Sequence, residues 1–246
     1  MTYVTRLMEG LWGLYAWLIF LICVLFSLLV VTVVPGLQRR QRLTTITSRA
    51  AFVLSGIKVE VNGLENLPEG HCVVAANHAS YVDGPLLKGF LPARFSFVIK
   101  GEMREIPIVH FLLRRAGSRF VERFTAAGST RDARQIVKAA KDGQSLVFYP
   151  EGTFIKESGI SRFRPGAFAA AINGEMPIVP VAISGTRHML SAGQILPRPC
   201  RIRVDVLPPI TPDDPAFANN RQLAETARQS ILSILDEPDL LEKEQQ

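Results

Sequence analysis

The residues best suited to chemistry in this 246-residue chain lie in the run 77–83, Asn-His-Ala-Ser-Tyr-Val-Asp, which directly follows an apolar stretch ending at Ala76. A histidine and an aspartate at the carboxyl end of a buried strand stand where α/β folds expose functional groups. His78 and Asp83 are five residues apart in a turn that enters a helix, so their side chains can meet. Asp83 would then accept the proton of one ring nitrogen and fix the tautomer, leaving the other nitrogen as a general base toward an alcohol.

The same residues also fit a purely structural role. Asn77, Ser80 and Asp83 all have side chains that cap helices well, and His78 could simply pack in the core. Because a histidine and an aspartate at this spacing are not rare, the spacing alone leaves both interpretations open.

A second run, Phe-Tyr-Pro-Glu-Gly-Thr at 148–153, likewise takes a hydrophobic strand into a sharp turn. Gly152 allows the backbone to approach a ligand closely. Glu151 and Thr153 offer polar groups that could bind an acceptor molecule. Taken alone, however, this run more often forms an ordinary strand-to-loop turn.

Basic residues also stand next to predicted strands. Lys100 follows Phe97-Val98-Ile99, and Arg119 and Arg123 surround Phe120-Val121. Cations at such places are usually solvated, but beside a phosphate-bearing substrate they become charge-assisted hydrogen-bond donors. The sequence does not distinguish these two roles.

An apolar block lies near the front of the chain. Its 24 residues from Leu11 to Val34 include no charged side chain, and a membrane-spanning helix needs about 20. A signal peptide has an apolar core of only about 7–15 residues before its cleavage site. A buried core helix is rarely apolar on every face. The block therefore predicts a retained membrane anchor.

Four arginines follow this block: Arg39, Arg40, Arg42 and Arg49. By the positive-inside rule they place the rest of the chain on the cytoplasmic side of the inner membrane. The stretch 37–55 mixes arginines with apolar residues and predicts a second, amphipathic helix in the membrane interface, attracted to anionic headgroups. We therefore predict a two-helix anchor over residues 1–56, followed by one folded domain over residues 57–246.

Beyond the anchor, strand-like and helix-like segments alternate. Strands are predicted over 57–61, 72–76, 95–99, 145–149, 178–183 and 202–206. Helices are predicted over 106–115, 131–141, 165–173 and 221–235 from periodicity and end signals. This alternation is typical of α/β domains, so we predict a single domain with a largely parallel sheet flanked by helices. The charged residues from Asp236 onward are expected to be frayed.

The net charge of +6 comes from basic residues spread through the chain. This distribution favours an anionic membrane surface and acidic substrates, and it argues against nucleic-acid binding. Cys23, Cys72 and Cys200 are far apart and odd in number, which agrees with a reducing compartment. The four histidines form no ligand cluster by spacing, so no metal is expected.

In this order and spacing, the motifs resemble the glycerolipid acyltransferases of the lysophosphatidic acid acyltransferase group. The run 77–83 matches the first motif of that family, and Gly117–Arg123 is similar to the second. Residues 149–153 resemble the third motif, and Ile178–Val181 the short apolar fourth. The resemblance spans about residues 57–207.

The resemblance implies direct transfer of a fatty acyl group from acyl-CoA or acyl carrier protein, as co-substrate, to a hydroxyl of a membrane lipid. It implies no acyl-enzyme and no cofactor. His78, oriented by Asp83, would be the general base, and residues 57–246 would form the acyltransferase domain. The other site positions would bind substrate, the acceptor above all: Asn77, Ser80, Lys100, Arg123, Glu151, Gly152 and Thr153.

One departure concerns the third motif, which in this family commonly continues with arginine and serine. Here Phe154 and Ile155 stand at those positions, and a phenylalanine cannot bind a phosphate. Either Lys156, Arg162 or Arg164 substitutes from the following loop, or the acceptor is a lyso-lipid with a headgroup other than that of lysophosphatidate.

Two other classes of function are open. The same pair of residues could activate water and make a thioester hydrolase, although the sequence lacks the Gly-x-Ser-x-Gly elbow of serine hydrolases. A membrane-bound lipid-binding or scaffolding protein without catalysis is the third class. The intact His78 and Asp83 argue against it.

Overall fold

The computed structural model describes residues 3–121 and 126–243. The helices are α1 Tyr3–Val33, α2 Leu37–Leu54, α3 Asp83–Phe90, α4 Pro107–Arg115, α5 Ala126–Lys141, α6 Gly166–Gly174, α7 Thr186–Leu190, α8 Asn220–Leu232 and α9 Leu240–Lys243. The strands are β1 Lys58–Asn62, β2 Val73–Ala76, β3 Ser96–Lys100, β4 Arg119–Val121, β5 Leu146–Phe148, β6 Ile178–Ser184 and β7 Arg201–Val206. Each of the six predicted strands is present, and its ends lie within one or two residues of the predicted ends. Strand β4 is not among those six.

Within the described residues, the strands form one sheet in the order β1-β7-β6-β2-β5-β3-β4. The five strands from β6 to β4 run parallel to one another. Strand β7 is antiparallel to β6, and β1 is parallel to β7. The prediction of a single α/β domain with a largely parallel sheet is therefore confirmed.

Strand β2 is apolar throughout because helices cover both faces of the sheet. Val73 and Ala75 belong to a core cluster that includes α5, α6 and α8, whereas Val74 and Ala76 belong to a cluster that includes α2, α3 and α7. All four side chains are fully buried. A strand buried on both faces has a continuous apolar sequence, and this places the residue after Ala76 at the carboxyl edge of a rigid sheet.

Helix α1 is the one described helix that is long and apolar enough to cross a membrane. It begins at Tyr3, whereas the uncharged block predicts a start at Leu11. Charged residues such as Arg6 and Glu9 have good helix propensity, so they extend the helix instead of ending it. Most of the apolar side chains of α1 are exposed, and only a narrow face is buried against the domain.

Hydrogen bonds join α1 both to α2 and to the domain. The Tyr15 hydroxyl donates to the carbonyl oxygen of Leu54 at 2.8 Å, and Nε1 of Trp17 donates to that of Ile195 at 2.7 Å. The indole Nε1 of Trp12 donates to the carbonyl oxygen of Ser55 at 3.2 Å. Near the other end, Nε of Arg115 donates to the carbonyl oxygen of Val31 at 2.9 Å. Between residues 12 and 31, therefore, α1 lies along the domain.

Helix α2 buries polar side chains together with Ala51 and Phe52. Gln41, Thr44 and Thr47 are buried, whereas Ile46 and Val53 are each 63% exposed. The buried hydroxyls of the two threonines donate to carbonyl oxygens of the preceding turn at 2.8 and 2.9 Å, which satisfies them inside the helix. The outward face therefore carries Ile46 and Val53 beside the exposed Arg42 and Arg49. The role of α1 and α2 as a membrane anchor stays a prediction.

The prediction that the chain frays from Asp236 onward is wrong for residues 236–243, and residues 244–246 lie outside the described part of the chain. The backbone N–H of Ile160 donates to Pro238 O at 3.1 Å, and the N–H of Leu240 donates to Ile160 O at 3.2 Å. The acidic residues that suggested a solvated tail instead bind arginines of the domain.

Phe52 is the side chain on which the junction of α1, α2 and α3 depends. It is fully buried, and its ring centroid lies 5.3 Å from that of Phe20 and 5.8 Å from that of Phe90. We expect Phe52→Ala to lower the free energy of unfolding by about 3–5 kcal/mol, because it leaves a cavity where three helices meet. Val53→Ala, at the exposed neighbouring position, should change it by less than about 0.5 kcal/mol. Denaturant unfolding in detergent measures both, and equal effects would contradict this role of Phe52.

Candidate active site

The run 77–82 forms the turn between β2 and α3 at the carboxyl edge of the sheet. Asn77 ties this turn to β6, because its Nδ2 donates to Ile183 O at 3.0 Å and its Oδ1 accepts from the Ile183 N–H at 2.7 Å. Ser80 is fully buried, and its Oγ donates to Leu190 O at 2.6 Å. In this arrangement Asn77 and Ser80 hold the turn rather than face a ligand, so the substrate contact predicted for them stays a prediction.

The imidazole of His78 and the carboxylate of Asp83 are in direct contact, with 2.8 Å between Nδ1 and Oδ2. The same oxygen accepts the backbone N–H groups of Ala79 at 2.7 Å and Ser80 at 2.8 Å. Asp83 therefore closes the turn that enters α3 and holds the histidine at the same time. The structural and the chemical interpretation of this spacing are compatible.

The second ring nitrogen of His78 is free to act. With Nδ1 donating to Asp83, the neutral imidazole has its lone pair on Nε2. This atom has no hydrogen-bond partner among the described residues. The His78 side chain is 19% exposed, whereas that of Asp83 is 0% exposed. An oriented, accessible imidazole of this kind can take a proton from a hydroxyl group.

Glu151 supports this turn from the neighbouring strand. Its Oε1 accepts the backbone N–H of His78 at 2.7 Å, and its Oε2 accepts the N–H of Ser161 at 3.0 Å and the Ser161 hydroxyl at 2.9 Å. Burial raises the pKa of the Glu151 carboxyl, and the hydrogen bonds from His78 and Ser161 oppose that rise. Both carboxylate oxygens are thus engaged inside the protein.

Gly152 makes the bend that brings Glu151 inward. Its φ of +84° lies in the left-handed region that favours glycine, and its N–H donates to Tyr149 O at 2.9 Å. The chain therefore bends at Gly152, directly after Glu151, whose carboxylate accepts the backbone N–H of His78.

Aromatic rings enclose the imidazole of His78. Tyr149 stacks on it with ring centroids 4.4 Å apart, and Phe154 meets it edge-on at 4.6 Å. Tyr81 in turn contacts Phe154 at 4.7 Å. Burial, and then the negative charge of Asp83, raise the pKa of the Tyr149 hydroxyl, so the stacked ring stays neutral. Two neutral aromatic rings thus pack against His78, and the Asp83 carboxylate contacts its Nδ1.

Two of the remaining predicted residues, Lys100 and Thr153, are exposed. Lys100 is exposed at the carboxyl end of β3, which is separated from β2 by β5. Thr153 is exposed in the loop that leaves β5. Arg123 lies outside the described residues. The acceptor contacts that the family resemblance implies for these three residues stay predictions.

Sequence reasoning missed the aromatic contacts and Ser161. The sequence marks Tyr149 only as the end of a strand, although a residue at the carboxyl end of a strand next to β2 is well placed to touch His78. It marks Phe154 only as a departure from a motif. Ser161 stands ten residues after Glu151 and belongs to no motif, so no local signal points to it.

A family model described as Acyltransferase matches residues 58–184. The chain is 31% identical over 142 residues to a 1-acyl-sn-glycerol-3-phosphate acyltransferase of Pseudomonas aeruginosa, covering 57% of this chain and 55% of that protein. It is 29% identical over 202 residues to a protein of the same name from Saccharomyces cerevisiae, covering 78% and 66%. A chloroplastic protein of this name from Brassica napus is 30% identical over 138 residues, covering 55% and 40%. The matched segments thus span about half the length of these relatives.

Among solved structures, the crystal structure of the 1-acyl-sn-glycerophosphate (LPA) acyltransferase PlsC from Thermotoga maritima has a TM-score of 0.76 to this chain, with 24% sequence identity. The superposition covers 92% of this chain and 94% of that chain. The two proteins share their fold.

The segment that matches the family model runs from β1 to the end of β6 and contains both the His78 turn and the Glu151 turn. The matched segment makes up just over half of the chain. The chain belongs to the acyltransferase family.

The raised pKa of Glu151 predicts a pH-dependent stability. The folded-state pKa lies above the ordinary value of 4.5, so the folded protein binds this proton more tightly than the unfolded chain does. This stabilisation is complete below the unfolded-state pKa and is lost as the pH rises through the folded-state pKa. The variant Glu151→Gln has no such proton.

We therefore expect the free energy of unfolding of the wild type, minus that of Glu151→Gln, to decrease as the pH is raised from about 4 toward neutrality. Urea unfolding at a series of pH values measures this difference. A difference that stays constant over the range would show that Glu151 titrates alike in the folded and unfolded states.

Proposed function

We propose that the protein is a membrane-bound O-acyltransferase. It moves a fatty acyl group from a thioester donor, acyl-CoA or acyl carrier protein, to the hydroxyl of a lysophospholipid-type acceptor, with lysophosphatidate first among them. The observation that carries this proposal is His78, whose Nδ1 lies 2.8 Å from the buried Asp83 carboxylate while Nε2 is unpaired among the described residues. Family membership and the names of the relatives support the reaction class.

In the proposed reaction, Nε2 of His78 takes the proton of the acceptor hydroxyl as its oxygen attacks the thioester carbonyl carbon. A C–O bond forms, the tetrahedral intermediate collapses with cleavage of the C–S bond, and the leaving thiolate takes the proton from the imidazolium. Asp83 holds Nδ1–H throughout and stabilises the transient positive charge. No acyl-enzyme forms, and His78 returns to its starting tautomer.

The oxyanion of the intermediate needs hydrogen-bond donors from outside the His78 turn. The N–H of His78 already donates to Glu151, and the N–H groups of Ala79 and Ser80 donate to Asp83. Other backbone N–H groups or basic side chains at the carboxyl edge of the sheet would supply these donors.

Membrane attachment is proposed from the outward faces of α1 and α2. On α1, Leu7, Leu14, Leu21 and Leu25 are each more than half exposed. On α2, the exposed Ile46 is flanked by the exposed Arg42 and Arg49. A bilayer that covered these faces would bury apolar surface and pair the arginines with anionic headgroups. The domain would then lie on the cytoplasmic face, close to a one-tailed lipid acceptor.

The first test measures transfer directly. We expect His78→Ala to lower transfer from radiolabelled acyl-CoA to lysophosphatidate by at least about 10²–10⁴-fold, because the general base is lost. Asp83→Asn should cause a loss of at least about 10²-fold, since the amide does not hold the required tautomer reliably. The product is a two-tailed lipid, which thin-layer chromatography separates from free fatty acid.

His71→Ala is the matched control, because His71 is exposed just before β2, at the opposite edge of the sheet. Near-normal transfer by His78→Ala would refute the mechanism. Free fatty acid released at the same rate with and without an acceptor would identify a thioester hydrolase instead.

The acceptor headgroup is tested at Phe154, which touches His78 at a position where the family commonly has arginine. We expect Phe154→Arg to raise kcat/KM for lysophosphatidate relative to lysophosphatidylcholine by about tenfold, because a guanidinium pairs with a phosphate monoester. The ratio for the two acceptors corrects for any general loss of rate. An unchanged ratio would show that this position does not select the headgroup.

A further inference from the structure

Arg187 binds the loop that follows the Glu151 turn. Its Nη1 donates to the carbonyl oxygens of Ile155 at 2.8 Å and Glu157 at 2.7 Å, and its Nη2 lies 3.4 Å from the carbonyl oxygen of Gly159. One guanidinium therefore gathers three carbonyl groups that are two residues apart along the loop. Such a fixed fork of donors is a property of arginine that lysine lacks.

Glu237 completes this contact from the far end of the chain. Its Oε1 accepts from Nε of Arg187 at 3.2 Å and its Oε2 accepts from Nη2 at 3.0 Å, so the pair is bidentate. Oε2 also accepts the backbone N–H of Gly159 at 2.8 Å. The side chains are 14% and 19% exposed, which makes the pair far less solvated than an ordinary surface ion pair.

The backbone on either side closes tightly. A Cβ atom at Gly159 would lie 2.5 Å from the Leu240 side chain and 2.8 Å from Pro238 O, so only glycine fits there without displacement. The loop and the C-terminal segment thus form one packed unit around Arg187.

Both ends of this loop lead to His78. At the start, Ile155 follows Phe154, whose ring contacts the imidazole at 4.6 Å. At the end, Ser161 donates twice to Glu151, which accepts the N–H of His78 at 2.7 Å.

Arg187 also belongs to the segment that holds the His78 turn from the other side. It lies in α7, directly after β6. The same segment contains Ile183, which pairs with Asn77, and Leu190, whose carbonyl oxygen accepts from Ser80. Arg187 therefore joins the Glu151 loop to the residues that fix the His78 turn.

We infer that Arg187 and Glu237 are positioning residues of the acyl-transfer site. Together they hold the loop 155–159 so that Phe154 stays against the imidazole and the acceptor-binding turn keeps its place. This inference rests on the proposed function. It predicts that loosening the pair weakens use of the lipid acceptor more than use of the thioester donor, because the loop continues the run assigned to the acceptor.

The test compares Arg187→Lys and Glu237→Gln with Arg203→Lys. The control also alters an arginine paired with a carboxylate, since Nε of Arg203 lies 2.8 Å from Asp205, but that pair is on β7, outside the site. We expect kcat/KM for the acceptor to fall by about 10–100-fold in the two test variants. KM for acyl-CoA should stay within about twofold, and the control should match the wild type.

Hydrogen–deuterium exchange of the full chain in detergent gives a readout that needs no activity. We expect residues 152–161 to exchange faster in Arg187→Lys and in Glu237→Gln than in the wild type. In Arg203→Lys their exchange should be unchanged. Unchanged exchange there, or equal losses in use of acceptor and donor with a lowered unfolding temperature, would overturn the inference. If the two test variants exchange faster as expected but the wild type transfers no acyl group, the proposed function is refuted, and the acceptor role with it. The structural link between the loop and the C-terminal segment would still stand.

Discussion

One buried carboxylate oxygen fixes the geometry on which the rest of the site depends. Oδ2 of Asp83 receives Nδ1 of His78 and the backbone N–H groups of Ala79 and Ser80, all within 2.8 Å. A carboxylate removed from water is costly unless donors replace its hydration. The turn is therefore stable only when these donors converge. The conformation that brings these donors to Oδ2 also leaves Nε2 of His78 without a partner among the described residues, so folding and chemistry impose the same constraint.

The surrounding loops are fixed by links between the ends of adjacent strands. The order β6-β2-β5 brings three loops together at one edge of the sheet. Asn77 connects the central loop to β6, Glu151 connects it to the loop after β5, and Arg187 connects that loop back to the end of β6. Rotamers locked by such supporting contacts keep a site in its working geometry. The rigidity of the site thus comes from these cross-links more than from the loops themselves.

The features that can be predicted from the sequence are contained in short windows, whereas the contacts that cannot be predicted join residues far apart in the chain. His78, Asp83 and the strand before them could be found because an apolar run and a five-residue spacing are contained in one short window. The partnership of Arg187 with Glu237 joins residues 50 apart and leaves no periodic or compositional trace. Charge composition even suggested a frayed C-terminus, because the sequence does not show that those carboxylates meet buried arginines. Strand β4, with three residues, is too short to give an alternating pattern.

The aromatic enclosure of His78 bears on the choice between transfer and hydrolysis. Tyr149 covers one side of the imidazole and Phe154 another, and both rings are uncharged. Beside these rings the interaction between His78 and Asp83 is stronger than in water, and a water molecule held for attack would need two or more polar partners. A lipid hydroxyl reaches the same nitrogen together with apolar atoms that these rings accommodate. The enclosure therefore supports the proposed acyl transfer to a lipid over hydrolysis of the thioester, and the proposed membrane contact of α1 and α2 would bring the site close to its acceptor.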